Sequence, residues 1–208
     1  MKKMYLIMTL VCIMMVSCKP NDEDDNGNKE QINGHEYIDL GLPSGLKWST
    51  CNVGANKPEE YGNYYAWGET SPKNEYTTEN SSTYFKQMED FSGNPKYDVA
   101  TAKWGGSWRM PTKEDMEELN YCCEWEWTQV NGVYGSKVIG PNGKSIFFPS
   151  AGYRDGSSLY YAGEGYCWSS TPNDYFDGSA FSLSFDSDDH CMYDSKRYYG
   201  LSVRPVLE

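Results

Sequence analysis

The sequence predicts an α+β domain, with short antiparallel strands and long ordered loops around one main helix near residues 112–123. Three observations lead there. After Cys18 the chain holds 17 Tyr, 7 Trp and 7 Phe against 4 Ile, 8 Leu and 7 Val, so its core must be built from rings. Twenty Gly and ten Pro, with abundant Ser, Asn and Asp, mark frequent turns. Only one segment carries apolar residues at convincing helical spacing. Together these exclude a helical bundle, a coiled coil and a Rossmann-like parallel sheet. A lone early helix within strands and loops reads as α+β.

The N-terminus reads as an address. Met1-Lys2-Lys3 is basic, Tyr5 to Val16 is an apolar run of twelve residues, and Ser17-Cys18 closes it. Twelve residues are too few to cross a bilayer core of about 30 Å, so residues 1–17 read as an export signal. Met15-Val16-Ser17-Cys18 resembles a lipobox, which makes Cys18 the expected acylation site, for example by palmitate. Residues 18–31 form an acidic tether: from Lys19 to Gln31 there are five acids, two lysines and no anchoring apolar side chain. An acidic run after the lipobox cysteine resembles the surface-export signal of Bacteroidetes lipoproteins. That resemblance implies an outer-membrane, lipid-anchored protein facing the cell exterior, with the anchor as its only membrane contact.

Residues 32–208 are expected to form a single domain. Alternation predicts strands over 36–40 and 47–53, separated by the Gly41-Leu-Pro-Ser-Gly45 turn, and another over 63–67. Residues 68–97 are polar and irregular, and read as a long loop ending in a helical turn near 98–103. The main helix starts after Pro111. Thr112 is the expected N-cap, and Asp115 three residues on resembles a capping box. Glu114, Asp115, Glu117 and Glu118 place negative charge where the helix dipole favours it, on a solvated face. Met116, Leu119 and Cys123 share the opposite face. Strands are then expected over 125–130, 135–140, 145–150, 165–170, 180–186 and 200–206, with Pro141-Asn142-Gly143 as a hairpin turn.

Charge excludes some functions. The formal charge is -12, from 30 acidic and 18 basic side chains, and no clustered Lys/Arg surface is present for nucleic acid. His35 and His190 are the only histidines, too few for a multi-histidine metal site, and neither sits near a nucleophile motif. No Cys-x-x-Cys spacing exists, so a zinc or thioredoxin-like site is unsupported. No cofactor is expected.

Several motifs, in order, carry a resemblance. They are Tyr37-Ile-Asp-Leu-Gly-Leu-Pro-Ser-Gly45, Trp48-x-x-Cys-Asn-Val-Gly-Ala55, Tyr64-x-Ala-Trp-Gly-Glu-Thr70, Trp104-Gly-Gly-Ser-Trp-Arg-Met-Pro-Thr112, Trp168-Ser-Ser170 and Gly200-Leu-Ser-Val-Arg-Pro-Val206. The chain thereby resembles the Fibrobacter succinogenes major paralogous domain over residues 34–207. That resemblance implies a C-type lectin-like fold, shared with sulfatase-modifying-factor proteins, and surface display more than a reaction. Trp104, Trp108 and Trp168 are expected in the core, with Arg109 and Arg204 as hydrogen-bonding hubs. Adjacent Cys122 and Cys123 poorly suit a formylglycine-generating cysteine pair, so an enzyme is not expected. Thr171-Pro172-Asn173-Asp174 lacks the acid that calcium-dependent lectins place before Pro, and no Trp-Asn-Asp follows.

Residues 173–199 are crowded with Asp, Tyr, His, Ser and Cys and show little apolar periodicity. Relatives of this fold serve as variable proteins of diversity-generating retroelements, whose adenine-directed changes yield such residues. The expected ligand-binding face is Asn173, Asp174, Tyr175, Asp177, Asp186, Asp188, His190, Tyr193 and Asp194, gathered on one patch of C-terminal loops. Its expected partner is a protein or glycan on another cell, host or phage. Tyr supplies rigid contact area and the acids supply specificity, for a basic or polyhydroxylated ligand. Cys167 and Cys191 are either a disulfide or two products of such variation; Cys51–Cys123 is a second expected pair, with Cys122 free. The expected function is a surface-anchored, non-enzymatic binding lipoprotein. The alternative is a structural or assembly component of a surface appendage or outer-membrane complex.

Overall fold

A computed structural model describes residues 30–208. The signal segment and Cys18 lie outside the described residues. Strand makes up 37% and helix 9%, so the domain is α+β with strand dominant.

The chain opens with β1 (Gln31–Ile32), β2 (His35–Asp39) and β3 (Lys47–Ser49). Two helices follow, α1 (Val99–Trp104) and α2 (Lys113–Cys122). Next come β4 (Glu124–Val130), β5 (Val133–Ile139) and β6 (Ser145–Pro149), then the short pair β7 (Tyr153–Asp155) and β8 (Ser158–Tyr160). The last strands are β9 (Gly165–Pro172), β10 (Ser179–Phe185), β11 (His190–Lys196) and β12 (Val206–Leu207). They build four antiparallel sheets in the orders β1-β2-β3-β12, β11-β10-β9, β4-β5-β6 and β7-β8. Pairing of β3 with β12 joins the two ends of the domain in one sheet.

Local chemistry explains the firmest elements. Thr112 Oγ1 accepts the Asp115 amide at 3.2 Å while Asp115 accepts the Thr112 amide at 2.8 Å, a complete capping box on α2. Asp98 caps α1 by accepting the Thr101 amide. Asn131 and Gly132 join β4 to β5 with φ of 49° and 85°, the left-handed pair that a two-residue hairpin turn requires.

Two ring-rich clusters form the core. One gathers Trp67, Trp108, Trp168, Tyr65 and Val203; the other gathers Trp48, Phe148, Met116, Leu119 and Leu183. The β9–β11 sheet separates them, because successive side chains point to opposite faces. Trp168 and Ala180 enter the first cluster, while Cys167, Leu183 and Phe185 enter the second. Where ladders are short, arginines tie the loops. Fully buried Arg204 donates to Asn52 Oδ1, to the Ser49 and Thr50 carbonyls and to the Phe147 carbonyl. Arg197, not singled out in the sequence, donates to the Ser179, Thr83 and Lys86 carbonyls. Arg109 is only partly buried and clamps Asp115 at 2.6 Å, the Met110 carbonyl and Ser92 Oγ.

Some expectations change. Residues 63–67 are not a strand, since only Tyr65 bridges, to Leu201. The 200–206 segment makes single bridges and becomes a strand only at Val206–Leu207. Strand β11 forms where a C-terminal loop is expected, and β7 and β8 form where no element is expected.

Both disulfides are absent: Cys51, Cys122, Cys123, Cys167 and Cys191 are free. Cys167 lies opposite Leu183 on β10, but Cys191 lies opposite the next residue, Ser184. The two thiols therefore sit on outer strands and face opposite sides of the sheet. Cys123 ends α2 and packs on the second cluster, whereas Cys51 follows β3 beside His35 and Trp104.

Candidate functional site

The nine expected ligand residues do not form one patch. None is buried: six are exposed, while Asn173, Asp186 and His190 are half-buried. Residues 173–177 turn between β9 and β10, and residues 186–189 turn between β10 and β11. These turns lie at opposite ends of seven-residue β10, about 20 Å apart at the rise of an extended chain. Tyr193 and Asp194 are neighbours on β11 and point to opposite faces.

Several of the nine already have structural work. Asp186 accepts the Asp188 and Asp189 amides at 2.7 and 2.9 Å, and those bonds hold its carboxyl below the ordinary range. Asn173 accepts the Tyr175 amide at 2.8 Å. His190 stacks on Trp125 at 4.7 Å and sits 2.7 Å from Asn120 on α2. Asp174, Tyr175, Asp177 and Asp188 stand free in solvent.

Tyr193 instead opens onto a cleft of about 340 Å³ on the first-cluster side of the C-terminal sheet. Its floor is set by register: Tyr166 pairs with Ser184, Ser182 pairs with Tyr193, and Ala180 pairs with Ser195, so these side chains share one face. The wall comes from Tyr153 on β7, Tyr161 after β8 and Tyr199 after β11. Tyr153 is the hub, 4.7 Å from the Tyr199 ring, 5.7 Å from Tyr161 and edge-on to Tyr166 at 5.3 Å. Asp194 and Lys196 complete the lining.

The Tyr166 hydroxyl donates to Glu164 at 2.5 Å, and burial followed by that carboxylate pushes its ionisation far above the ordinary range. Burial raises Tyr199 and Tyr153 as well. All three stay protonated at neutral pH and present ring faces and neutral hydroxyls to the cleft. Among the described residues no group of three His, Cys, Asp or Glu side chains is placed to hold a metal ion.

Sequence reasoning found Tyr193 and Asp194 but missed Tyr153, Tyr161, Tyr166 and Tyr199. The paired tyrosines at 160–161 and 198–199 were the available signal. Compared with family models, with curated proteins and with solved structures, the chain has no match.

Proposed function

We propose that the chain is a non-enzymatic binding lipoprotein, anchored through Cys18 in the outer membrane and facing the exterior. In this reading residues 32–208 are a C-type lectin-like domain of the Fibrobacter succinogenes major paralogous type, and the ligand is a protein or glycan. The carrying observation is the cleft: Tyr153, Tyr161 and Tyr199 wall a floor of paired strands that carries Tyr166 and Tyr193. Large rigid rings with polar tips suit recognition, because little side-chain freedom is lost on contact. The joining of β3 with β12, with long ordered loops between, supports the lectin-like reading. Six of the nine candidate ligand positions are exposed, so diversification at those six would leave both core clusters intact.

Residues 32–208 screened on glycan and protein arrays test binding, and Tyr193→Ala should abolish a cleft-dependent hit. Blank arrays together with stable co-purification of other outer-membrane proteins would favour an assembly component instead. Labelled-palmitate incorporation should disappear in Cys18→Ala; none in the wild type removes the anchor.

A further inference from the structure

The rings of the cleft belong to a longer series, half-buried along its middle and exposed at Phe176, Phe85 and Tyr161. Phe176 meets Phe85 at 5.8 Å, and Phe85 meets Tyr84 at 4.3 Å. Tyr84 touches Tyr198 at 5.2 Å, and Tyr198 touches Tyr199 at 4.8 Å. Tyr199 stacks on Tyr153, which reaches Tyr161. Ring contact thus runs unbroken from the 173–177 turn to the far wall of the cleft.

Both flanks of this series hold an aromatic residue in left-handed backbone. Phe85 has φ of 56° and Tyr161 has φ of 51°, while the other non-glycine cases among the described residues are Asn33 and Asn131. Asparagine tolerates that region; a bulky ring is an outlier there, and such strain clusters at binding sites. Neither ring repays the strain by entering the core, for Phe85 is 59% exposed and Tyr161 56%. What the strained backbone achieves is to hold two rings in water at the two flanks of one aromatic surface.

Acids flank the series, with Lys196 as the cation in the cleft lining. Asp155 lies within electrostatic reach of Tyr153, Tyr198 and Tyr199, and Glu79 within reach of Tyr198. Among the described residues Asp155 and Asp177 carry no ion pair, Asp177 lying within electrostatic reach of Arg197. The chain also shows the contact a cation would make: Lys196 Nζ sits 4.3 Å from the Phe176 ring centroid.

We propose that this ring series is a docking track for a basic, extended polypeptide segment. Its Lys and Arg side chains would lie on ring faces and pair with the flanking carboxylates. The inference rests on the binding reading of the cleft and names its partner; a neutral glycan would leave the carboxylates unmatched.

The test uses the full chain in detergent and fluorescein-labelled deca-arginine at physiological salt, read by anisotropy, with deca-glutamate and a Gly-Ser peptide as controls. A chain of charge -12 attracts any polycation, so the ring variants decide. Phe85→Gly and Tyr161→Gly leave the charge unchanged and suit the left-handed backbone. Each should weaken deca-arginine binding about fivefold or more, the scale of a lost cation–ring contact, with Tm unchanged or higher. Affinity unchanged in both variants, or no wild-type binding, overturns the proposal. A Tyr193-dependent glycan hit without deca-arginine binding overturns the basic partner and keeps the binding reading; blanks on both remove both.

Discussion

Arg204 Nε donates to Asn52 Oδ1 at 2.8 Å, with both residues buried and 152 positions apart in the chain. The bond joins the segment after β3 to the segment before β12, beside the sheet that closes the domain. Arg204 has no carboxylate partner in its contacts; four oxygens and the Phe148 ring, 4.4 Å away, surround it. Burial accordingly lowers its pKa.

Arg204→Met should therefore destabilise the domain by about 3 kcal/mol or more, because it strands several buried acceptors that water cannot reach. Asn52→Leu should cost less, since the arginine keeps its three carbonyls. Urea unfolding of both single variants and the double variant measures the coupling. Additive losses would show that the pair does not act together.

The α2 cap should be worth about 1 kcal/mol. Thr112→Ala removes the acceptor for the Asp115 amide and is expected to cost that much, while Thr112→Ser should cost little. Chemical denaturation of the two variants checks it. Equal losses would move the effect from the hydroxyl to the Thr methyl group.

Free cysteines predict a labelling pattern. At pH 8 the exposed Cys122 and Cys191 should react with iodoacetamide in the native protein, and buried Cys167 should not. Burial pushes the Cys167 thiol up to about 12 and Cys123 up to about 11. Peptide mapping without reduction reads the result, and any Cys167–Cys191 bridge would contradict the register of β9 to β11.

The same thiols set an alkaline limit. A folded pKa above the unfolded one means that stability is complete below about pH 9 and falls as pH rises toward 11 and 12. Tyr64, held up to about 12 by burial, adds to the fall. Urea midpoints between pH 7 and pH 11 should decline, and Cys167→Ala should flatten the decline. A midpoint constant through pH 11 rejects this account.

A genetic prediction concerns variation. If residues 173–199 are diversified, the flanking DNA should hold a near-copy of this segment beside a reverse-transcriptase gene, differing almost solely at adenines. Sequencing the locus decides it, and an absent copy leaves the residues fixed.

How much could be read in advance depended on how local the determinant was. Helix α2 was legible because its signal, Thr112 and Asp115 with Met116 and Leu119 behind them, spans eight residues. The ring-built core and the Arg204 hub were legible from composition and the closing motif. Strand β11 was not, because it is an edge strand whose side chains are mostly exposed or half-buried, so hydrophobic alternation is weak. The sequence by itself therefore determined the α+β class, the main helix and its cap, and a core built from rings with Trp104, Trp108 and Trp168 among them. Only the tertiary structure decided which tyrosines meet and which cysteines cannot. Tyr153, Tyr161, Tyr166, Tyr193 and Tyr199 become neighbours through strand register and loop placement, and one residue of offset turns Cys167 and Cys191 to opposite faces.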